Sequence, residues 1–391
     1  MDETSPSRRG GSAAAEPLFR PLEGGALRPL GAVPPSIQWI VTAIGGLAAL
    51  ALGAGLLAAW RARRGERRRR ALLDDIGLLQ GALLPPVADR VGGLCASVAY
   101  RPWDGPGAGG DFYDVFALPG GRDGVVLGDV EGHGREVIGA TAALRHSLRA
   151  YLEAGLEPRA ALELAGEVLG RDPAATMATA VLAVHDPRSG MFTWAGAGHP
   201  PPILLGGEFG AETLTAAAAP PLGAATATGL RQTSVYLPRG SAACLFTDGL
   251  IDARAGGGRL GLDRLGELAE NLGDRLSAST LLDAVGREAS EITDDMAVCV
   301  LRPTARSAGE HLEGAHGRVE ELALPPGQIS TSLMQRFLWA CGVEADEAQA
   351  AMSAARETAR EGAGVLLRVE TEGRAPVAIS QLGRATLAPV P

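Results

Sequence analysis

Four aspartates in short segments, three of which contain glycine, are the residues of this sequence best suited to chemistry. They are Asp111 in GAGGDFYDVF, Asp129 in VVLGDVEGHG, Asp248 in CLFTDGLIDA and Asp294 in EITDDMAVCVL. Each lies at the edge of an apolar run, where a strand is expected to end. Carboxylates that meet at strand ends offer the hard oxygen ligands that Mg²⁺ and Mn²⁺ prefer. Together the four predict a metal-dependent hydrolase, whereas each taken singly is an ordinary turn-forming residue.

The composition narrows the function. The chain has 391 residues, 46% of them hydrophobic, which is enough for one large core or two smaller ones. A net charge of −9 argues against nucleic acid as a partner. All 36 basic residues are arginines, so chemistries that need a phosphate-loop, kinase or Schiff-base lysine are excluded. The four cysteines form no CxxC pair, which disfavours zinc-ribbon or thioredoxin chemistry.

Residues 37–60 predict a transmembrane helix. They read IQWIVTAIGGLAALALGAGLLAAW, carry no charge and are long enough to cross a bilayer. Seven arginines follow within residues 61–70, and the positive-inside rule then places the rest of the chain in the cytoplasm. A cleaved signal peptide would carry its positive charge before the apolar run. We therefore expect a single-pass protein of the cell membrane whose arginine cluster contacts anionic lipid.

The flanking segments complete the expected domain order. Residues 1–36 are rich in Gly, Pro, Ala and Ser and predict a disordered extracytoplasmic tail. Residues 61–84 form an Arg-rich junction and a linker helix, through which a homodimer could form. Residues 85–303 alternate short β-type runs with helical stretches, partly in hairpin-like succession, which favours an α+β domain with an antiparallel sheet. Residues 304–391 predict a small α/β appendage of two helices followed by two strands.

Five motifs in order carry a family resemblance. The segments GGDFYDVF, GDVEGHG, AGAGHPPPILL, LFTDGLIDA and TDDMAVCVL resemble those of the SpoIIE-type branch of the metal-dependent protein phosphatases (type 2C, PPM). The resemblance covers roughly residues 78–303. It implies a β-sandwich flanked by helices (αββα) and hydrolysis of phosphoserine or phosphothreonine. In such sites two Mn²⁺ or Mg²⁺ ions activate the attacking water.

The resemblance also assigns roles to particular residues. Asp111, Asp129, Asp248 and Asp294 would ligate the metals through carboxylates, and Val130 would do so through its backbone carbonyl.

Four neighbouring residues receive less direct roles. His133, in the GHG segment, could protonate the leaving serine oxygen. Asp295 could accept hydrogen bonds from metal-bound water, and Asp114 is an outer-sphere candidate. Glu131 adds a carboxylate where small residues are common in the family, and Ala297 replaces a common threonine. Neither departure removes a predicted ligand.

The resemblance implies a phosphorylated anti-sigma-factor antagonist as the substrate and partner switching as the downstream effect. Two alternatives stay open: a catalytically silent pseudophosphatase scaffold that binds such a regulator, and a hydrolase of small phosphoesters. The segment from about Gly317 onward weakly resembles the start of an anti-sigma ATPase-like module. Glu361 stands where that module needs an asparagine for Mg²⁺, so we expect either a degenerate module or an unrelated appendage.

Overall fold

The computed structural model describes residues 35–103, 109–132, 135–171, 176–206, 211–214, 219–224, 228, 231–304, 319–360, 362–370 and 377–382. The chain divides into two compact units, one ending at Arg69 and the other beginning at Arg70.

A long N-terminal helix, α1 (Pro35–Leu83), contains the predicted membrane segment. Within the described part of the chain, Ile37–Arg70 is the single helical stretch long and apolar enough to cross a membrane, judged by length and composition alone. The sequence analysis separated the apolar helix from a linker helix, but the structure joins them without a break. Arg, Ala and Leu between them are good helix formers. The helix ends before Pro85 and Pro86, which cannot continue it.

The rest of the chain is built from short strands and amphipathic helices. The strands, in chain order, are β1 (Arg90–Val91), β2 (Leu94–Arg101), β3 (Asp111–Ala117), β4 (Asp123–Val130), β5 (Ala178–Asp186), β6 (Met191–Ala197), β7 (Ile203–Leu205), β8 (Ala211–Thr213), β9 (Thr233–Tyr236), β10 (Ala242–Phe246), β11 (Arg254–Ala255), β12 (Gly258–Arg259), β13 (Met296–Pro303), β14 (Val319–Leu324), β15 (Gly364–Glu370) and β16 (Ala378–Leu382). The remaining helices are α2 (Arg135–Glu153), α3 (Pro158–Gly170), α4 (Gly249–Asp252), α5 (Gly261–Leu272), α6 (Ala278–Glu288), α7 (Thr331–Ala340) and α8 (Ala345–Arg360).

Two antiparallel sheets form the centre of this unit. The first has the strand order β1-β2-β13-β10-β7-β8 and the second has the order β3-β4-β5-β6-β9. A core between the sheets contains Leu127 and Val181 from the second sheet and Leu245 and Cys299 from the first. Each sheet therefore turns one face towards the other, as in a β-sandwich.

Helices cover both outer faces of the sandwich. A second core packs α2 and α3 on the second sheet, with Leu148 and Leu162 against Val126. A third core packs α4, α5 and α6 on the first sheet, with Leu265 and Leu281 among its fully buried residues. The resulting αββα layers confirm the expected α+β sandwich.

The C-terminal segment forms a small sheet, β14-β15-β16, against which α8 packs, while α7 packs on α8 and on β9. The strand β14 was missed in the sequence, where two helices and two strands were expected. This segment shares the sandwich core, because Leu322 of β14 and Phe337 of α7 belong to the same buried cluster as Val235 of β9. Hydrogen bonds add to the contact: Ser234 Oγ donates to Glu320 Oε2 at 2.6 Å.

Candidate metal centre

Asp111 and Asp129 lie directly opposite each other on neighbouring strands. They are paired across β3 and β4: Asp111 is the first residue of β3, and Asp129 is the next-to-last residue of β4. Side chains alternate between the two faces of a strand. Val125 and Leu127 point into the core between the sheets, so Asp129, two residues further on, lies on the same face. The strand register therefore brings two carboxylates to one end of the space between the sheets.

Thr247 ties Asp111 to the opposite sheet. Its hydroxyl donates to Asp111 Oδ2 at 2.9 Å and accepts from the backbone N–H of Ala297 at 2.9 Å. Thr247 follows β10 and is fully buried, and Asp248 comes directly after it. This single hydroxyl therefore fixes the orientation of one predicted ligand and links the two strands of the first sheet that carry Asp248 and Asp294.

Two glycines of the motifs are required by close backbone approach. A Cβ on Gly110 would lie 2.0 Å from the carbonyl oxygen of Val130 and 2.2 Å from Asp129 Oδ1. A Cβ on Gly249 would lie 1.9 Å from the backbone oxygen of Asp295. No larger residue fits at either position without moving the backbone. The glycines next to Asp111 and Asp248 are therefore part of how the aspartates come together.

The carboxylates act on one another electrostatically. Burial, followed by repulsion from Asp129, raises the pKa of Asp111 well above its usual range. Burial, followed by repulsion from Asp248, Asp294 and Asp295, raises the pKa of Asp129 to about 8. Burial and then Asp294 raise the pKa of Asp248. All four predicted carboxylate ligands, together with Asp295, therefore share one region of negative potential.

This region suits hard divalent cations. The four predicted carboxylate ligands form no ion pair with a basic side chain in the described part of the chain. Oxygen donors of this kind match Mn²⁺ or Mg²⁺ rather than softer metals. The fit rests on the chemical type of the donors. Among the described residues, no group of three or more His, Cys, Asp or Glu side chains could hold a metal ion as it stands.

Asp295 has protein partners that the sequence did not predict. Its Oδ2 accepts from the hydroxyl of Tyr100 at 3.0 Å, and its Oδ1 accepts from the backbone N–H of Trp103 at 2.7 Å. Both oxygens thus hold the segment that leads from β2 towards β3. Its own backbone N–H donates to Asp294 Oδ1 at 2.8 Å, which restrains that predicted ligand.

Asp114 lies away from the other aspartates. It is buried on the face of β3 that also carries Phe112 and Phe116 and that packs against α2. There its carboxylate forms ion pairs with Arg145 at 3.3 Å and Arg149 at 3.2 Å. Asp111 and Asp114 are three residues apart on one strand, so their side chains point to opposite faces. These contacts do not support the outer-sphere role, and Asp114 instead anchors α2 to the sheet.

Two further predicted residues, Val130 and Glu131, directly follow Asp129 in the chain. Glu131 is exposed, and its backbone N–H donates to the carbonyl of Met177 at 2.9 Å. Val130 is buried, and its N–H donates to the carbonyl of Gly110 at 3.1 Å. The general-acid candidate His133 lies outside the described residues.

Three supporting residues were not predicted from the sequence, namely Thr247, Tyr100 and Thr179. Thr179 is paired with Asp129 across β4 and β5, and its hydroxyl lies 2.8 Å from Nδ1 of His199. Burial lowers the pKa of His199 to about 3, so this histidine is neutral and acts as a fixed support. Thr247 could have been found from its place directly before Asp248. Nothing local in the sequence marks Tyr100 or Thr179.

A helix-flanked antiparallel sandwich with an acidic site at one end of the inter-sheet space defines the class of the metal-dependent protein phosphatases. Residues 119–304 match the family model described as "Stage II sporulation protein E (SpoIIE)". Over these residues the chain is therefore similar to a SpoIIE-type protein phosphatase domain.

One solved structure with a TM-score above 0.5 supports the fold, and two further solved structures are similar with lower scores. The SiaA-PP2C domain of Pseudomonas aeruginosa is 22% identical, with a TM-score of 0.53, over 61% of this chain and 99% of that one. The RsbU and RsbW domains of Rv1364c from Mycobacterium tuberculosis are 25% identical, with a TM-score of 0.49, over 71% and 80%. The phosphatase domain with a regulatory fragment of SpoIIE from Bacillus subtilis is 20% identical, with a TM-score of 0.47, over 54% and 63%.

Proposed function

We propose that this chain is a membrane-anchored protein serine/threonine phosphatase. Its substrate is a phosphoserine or phosphothreonine on a regulatory protein of the anti-sigma-factor-antagonist type. The observation that carries the proposal is the shared acidic site, in which repulsion between carboxylates contributes to a pKa of about 8 for Asp129. Mutual repulsion between buried carboxylates destabilises the folded protein, and carboxylates held together in spite of it are typical of a site that binds cations.

The chain's own residues would act mainly by positioning. Asp111, Asp129, Asp248 and Asp294 and the carbonyl of Val130 would hold two Mn²⁺ or Mg²⁺ ions. The chemistry that such ions supply is acidification of water and neutralisation of phosphate charge.

Supporting residues fix these ligands. Thr247 orients Asp111 through a 2.9 Å hydrogen bond, and Gly110 leaves room beside the Val130 carbonyl. His133 would donate the proton that the leaving serine or threonine oxygen needs.

Membrane anchoring is the second part of the proposal. The stretch Ile37–Arg70 has the length and composition of a single span, and its arginines follow the apolar run, which favours a cytoplasmic phosphatase domain. A full-length protein that fractionates with membranes and resists carbonate extraction supports this topology, whereas a soluble full-length protein contradicts it.

A pseudophosphatase scaffold is the second candidate function, and Glu131 and Ala297 are the residues that favour it. Both depart from the family pattern beside the predicted ligands. In this reading the chain binds the phosphorylated regulator without hydrolysing it.

Phosphate release by the full chain in detergent with Mn²⁺ separates the candidates. Turnover of a phosphoserine protein supports the proposal. Binding without turnover supports the scaffold. Turnover restricted to p-nitrophenyl phosphate points to a small-phosphoester hydrolase.

A further inference from the structure

Large apolar side chains are exposed beside the acidic site. Outside α1, five large apolar residues with substantial exposure occur in the described part of the chain. Two of them flank the aspartates: Trp103, 59% exposed, and Met177, 44% exposed. The other three are Val168, Val319 and Trp339. Exposed aromatic and apolar groups that cluster at one functional site are typical of protein contact surfaces.

Trp103 is held in place by a residue of the site. Its backbone N–H donates to Asp295 Oδ1 at 2.7 Å. The other oxygen of Asp295 accepts from Tyr100 at 3.0 Å, at the end of β2. On the far side of the β2–β3 connection, Gly109 packs so closely that a Cβ would lie 1.3 Å from Asp295 Oδ2. Asp295 therefore contacts the backbone at Trp103 and packs against Gly109, and it is the chain neighbour of Asp294.

Met177 is held in a similar way on the other sheet. Its carbonyl accepts from the N–H of Glu131 at 2.9 Å, and Glu131 directly follows β4, which ends one residue after Asp129. Asp295, in contrast, directly precedes β13 of the first sheet. The two apolar side chains thus come from segments anchored to different sheets, at the end of the sandwich that carries the aspartates.

We infer that Trp103 and Met177 contact the protein substrate on either side of its phosphorylated residue and select apolar side chains there. This inference rests on the proposed function for the group that enters the site. The acidic centre serves the phosphate through its cations and offers nothing to apolar neighbours. The exposed indole and thioether can bury such neighbours, and burial of this kind adds to affinity.

Matched phosphoserine peptides test the selection. One short peptide carries leucine on both sides of the phosphoserine and the other carries serine. For the full chain with Mn²⁺ in detergent, we expect kcat/KM to favour the leucine peptide about tenfold, chiefly through KM, since the contact is the same in the ground and transition states. Trp103→Ala and Met177→Ala should each reduce this preference, and the double variant should bring it to within about twofold. Trp103→Phe should retain most of it.

Val168→Ala is the matched control, because Val168 is an equally exposed apolar residue on α3. It should keep the full preference. A wild-type enzyme without preference, or a preference that survives in the double variant, overturns the inference. Equal losses in the Val168 control also overturn it, since they indicate a general surface effect.

A binding measurement keeps the inference separate from the proposed function. The probe is a dye-labelled leucine-flanked peptide with a non-hydrolysable phosphonate in place of the phosphate, followed by fluorescence anisotropy with Mn²⁺. If the peptide binds and Trp103→Ala weakens binding about tenfold, the inference holds even when no peptide is hydrolysed. If peptides are hydrolysed but Trp103 and Met177 change neither binding nor preference, the proposed function holds and the inference fails. Absence of both binding and hydrolysis overturns both. Trp103-dependent binding to lipid vesicles without any peptide effect assigns the indole to the membrane and overturns the inference.

Discussion

Binding of Mn²⁺ should release protons from this protein in an amount that depends on pH. Asp129 has a pKa of about 8, raised by burial and by the carboxylates of Asp248, Asp294 and Asp295. At pH 7 such a carboxyl carries its proton in a fraction of about 0.9 of the molecules, and at pH 9 in a fraction of about 0.1. A cation binds only the ionised carboxylate, so binding displaces that proton. Asp111, whose pKa is also raised well above its usual range, contributes up to about one more proton.

We therefore expect release of between about one and two protons per chain at pH 7, falling by about 0.8 from Asp129 alone at pH 9. The assay is isothermal titration calorimetry of the full chain in detergent, in two buffers that differ in ionisation enthalpy. Asp129→Asn should lower the release at pH 7 by at least about 0.9 proton, since it removes one titrating carboxyl and also weakens binding of the cation. Asp263→Asn, an exposed aspartate at the start of α5, should leave it unchanged. Heat that is independent of the buffer at pH 7 refutes the reasoning, because it shows carboxylates that are already ionised.

Four further predictions concern stability and the supporting residues. Without metal, the protonated carboxyls of Asp111 and Asp129, whose pKa values are raised, stabilise the fold fully below about pH 4, and this contribution is lost as pH rises through about 8. The melting temperature in EDTA should therefore fall between about pH 4 and 8 and should recover when Mn²⁺ is added. A melting temperature that does not change with pH contradicts this prediction. Gly110→Ala should lower kcat at least about 100-fold, because its Cβ would collide with the Val130 carbonyl, while Gly139→Ala on α2, which meets no neighbour, should retain activity. Thr247→Val should weaken Mn²⁺ binding about 10- to 100-fold in calorimetry, since Asp111 loses its orienting hydrogen bond, and Thr247→Ser should restore most of it. Phe337→Ala should lower the free energy of unfolding of the whole phosphatase unit by about 3–5 kcal/mol in a denaturant titration. Trp339→Ala, at an exposed position, should lower it far less. A separate melting transition for the C-terminal segment argues against the shared core.

Most strands of the fold could be predicted from the sequence, because each is recognisable from its own run of apolar residues. Runs such as VVLGDV and AACLF alternate inward and outward residues or lie fully buried, and they became β4 and β10. The pairing of the strands and the packing between distant segments could not be predicted from these local patterns. The strand β14 was missed because residues 319–324 carry two glutamates, and these are accommodated only by partners far along the chain. Glu320 accepts from Ser234, and Glu321 pairs with Arg368.

The site could be predicted in part for a similar reason. The four aspartates stood out because each lies at the edge of an apolar run and three of them lie in glycine-containing motifs. Gly110 and Gly249 have a steric reason in the structure. Roles that depend on the direction of a side chain were harder to infer. Asp114 is only three residues from Asp111, yet strand alternation turns it towards Arg145 and Arg149. The expected hydrogen bonds from metal-bound water to Asp295 stay a prediction, whereas its contacts with Tyr100 and Trp103 were not predicted.

Phosphate release from a phosphoserine protein by isosteric variants tests the central claim most directly. The full chain in detergent with Mn²⁺ should release phosphate, and EDTA should abolish the release. Asp129→Asn and Asp248→Asn preserve side-chain size while removing the charge that holds a cation, so each should reduce kcat by at least about 1,000-fold, the range expected when a group that stabilises the transition state is lost. Asp263→Asn should retain wild-type turnover. Turnover that survives in both site variants, or that persists in EDTA, contradicts the account.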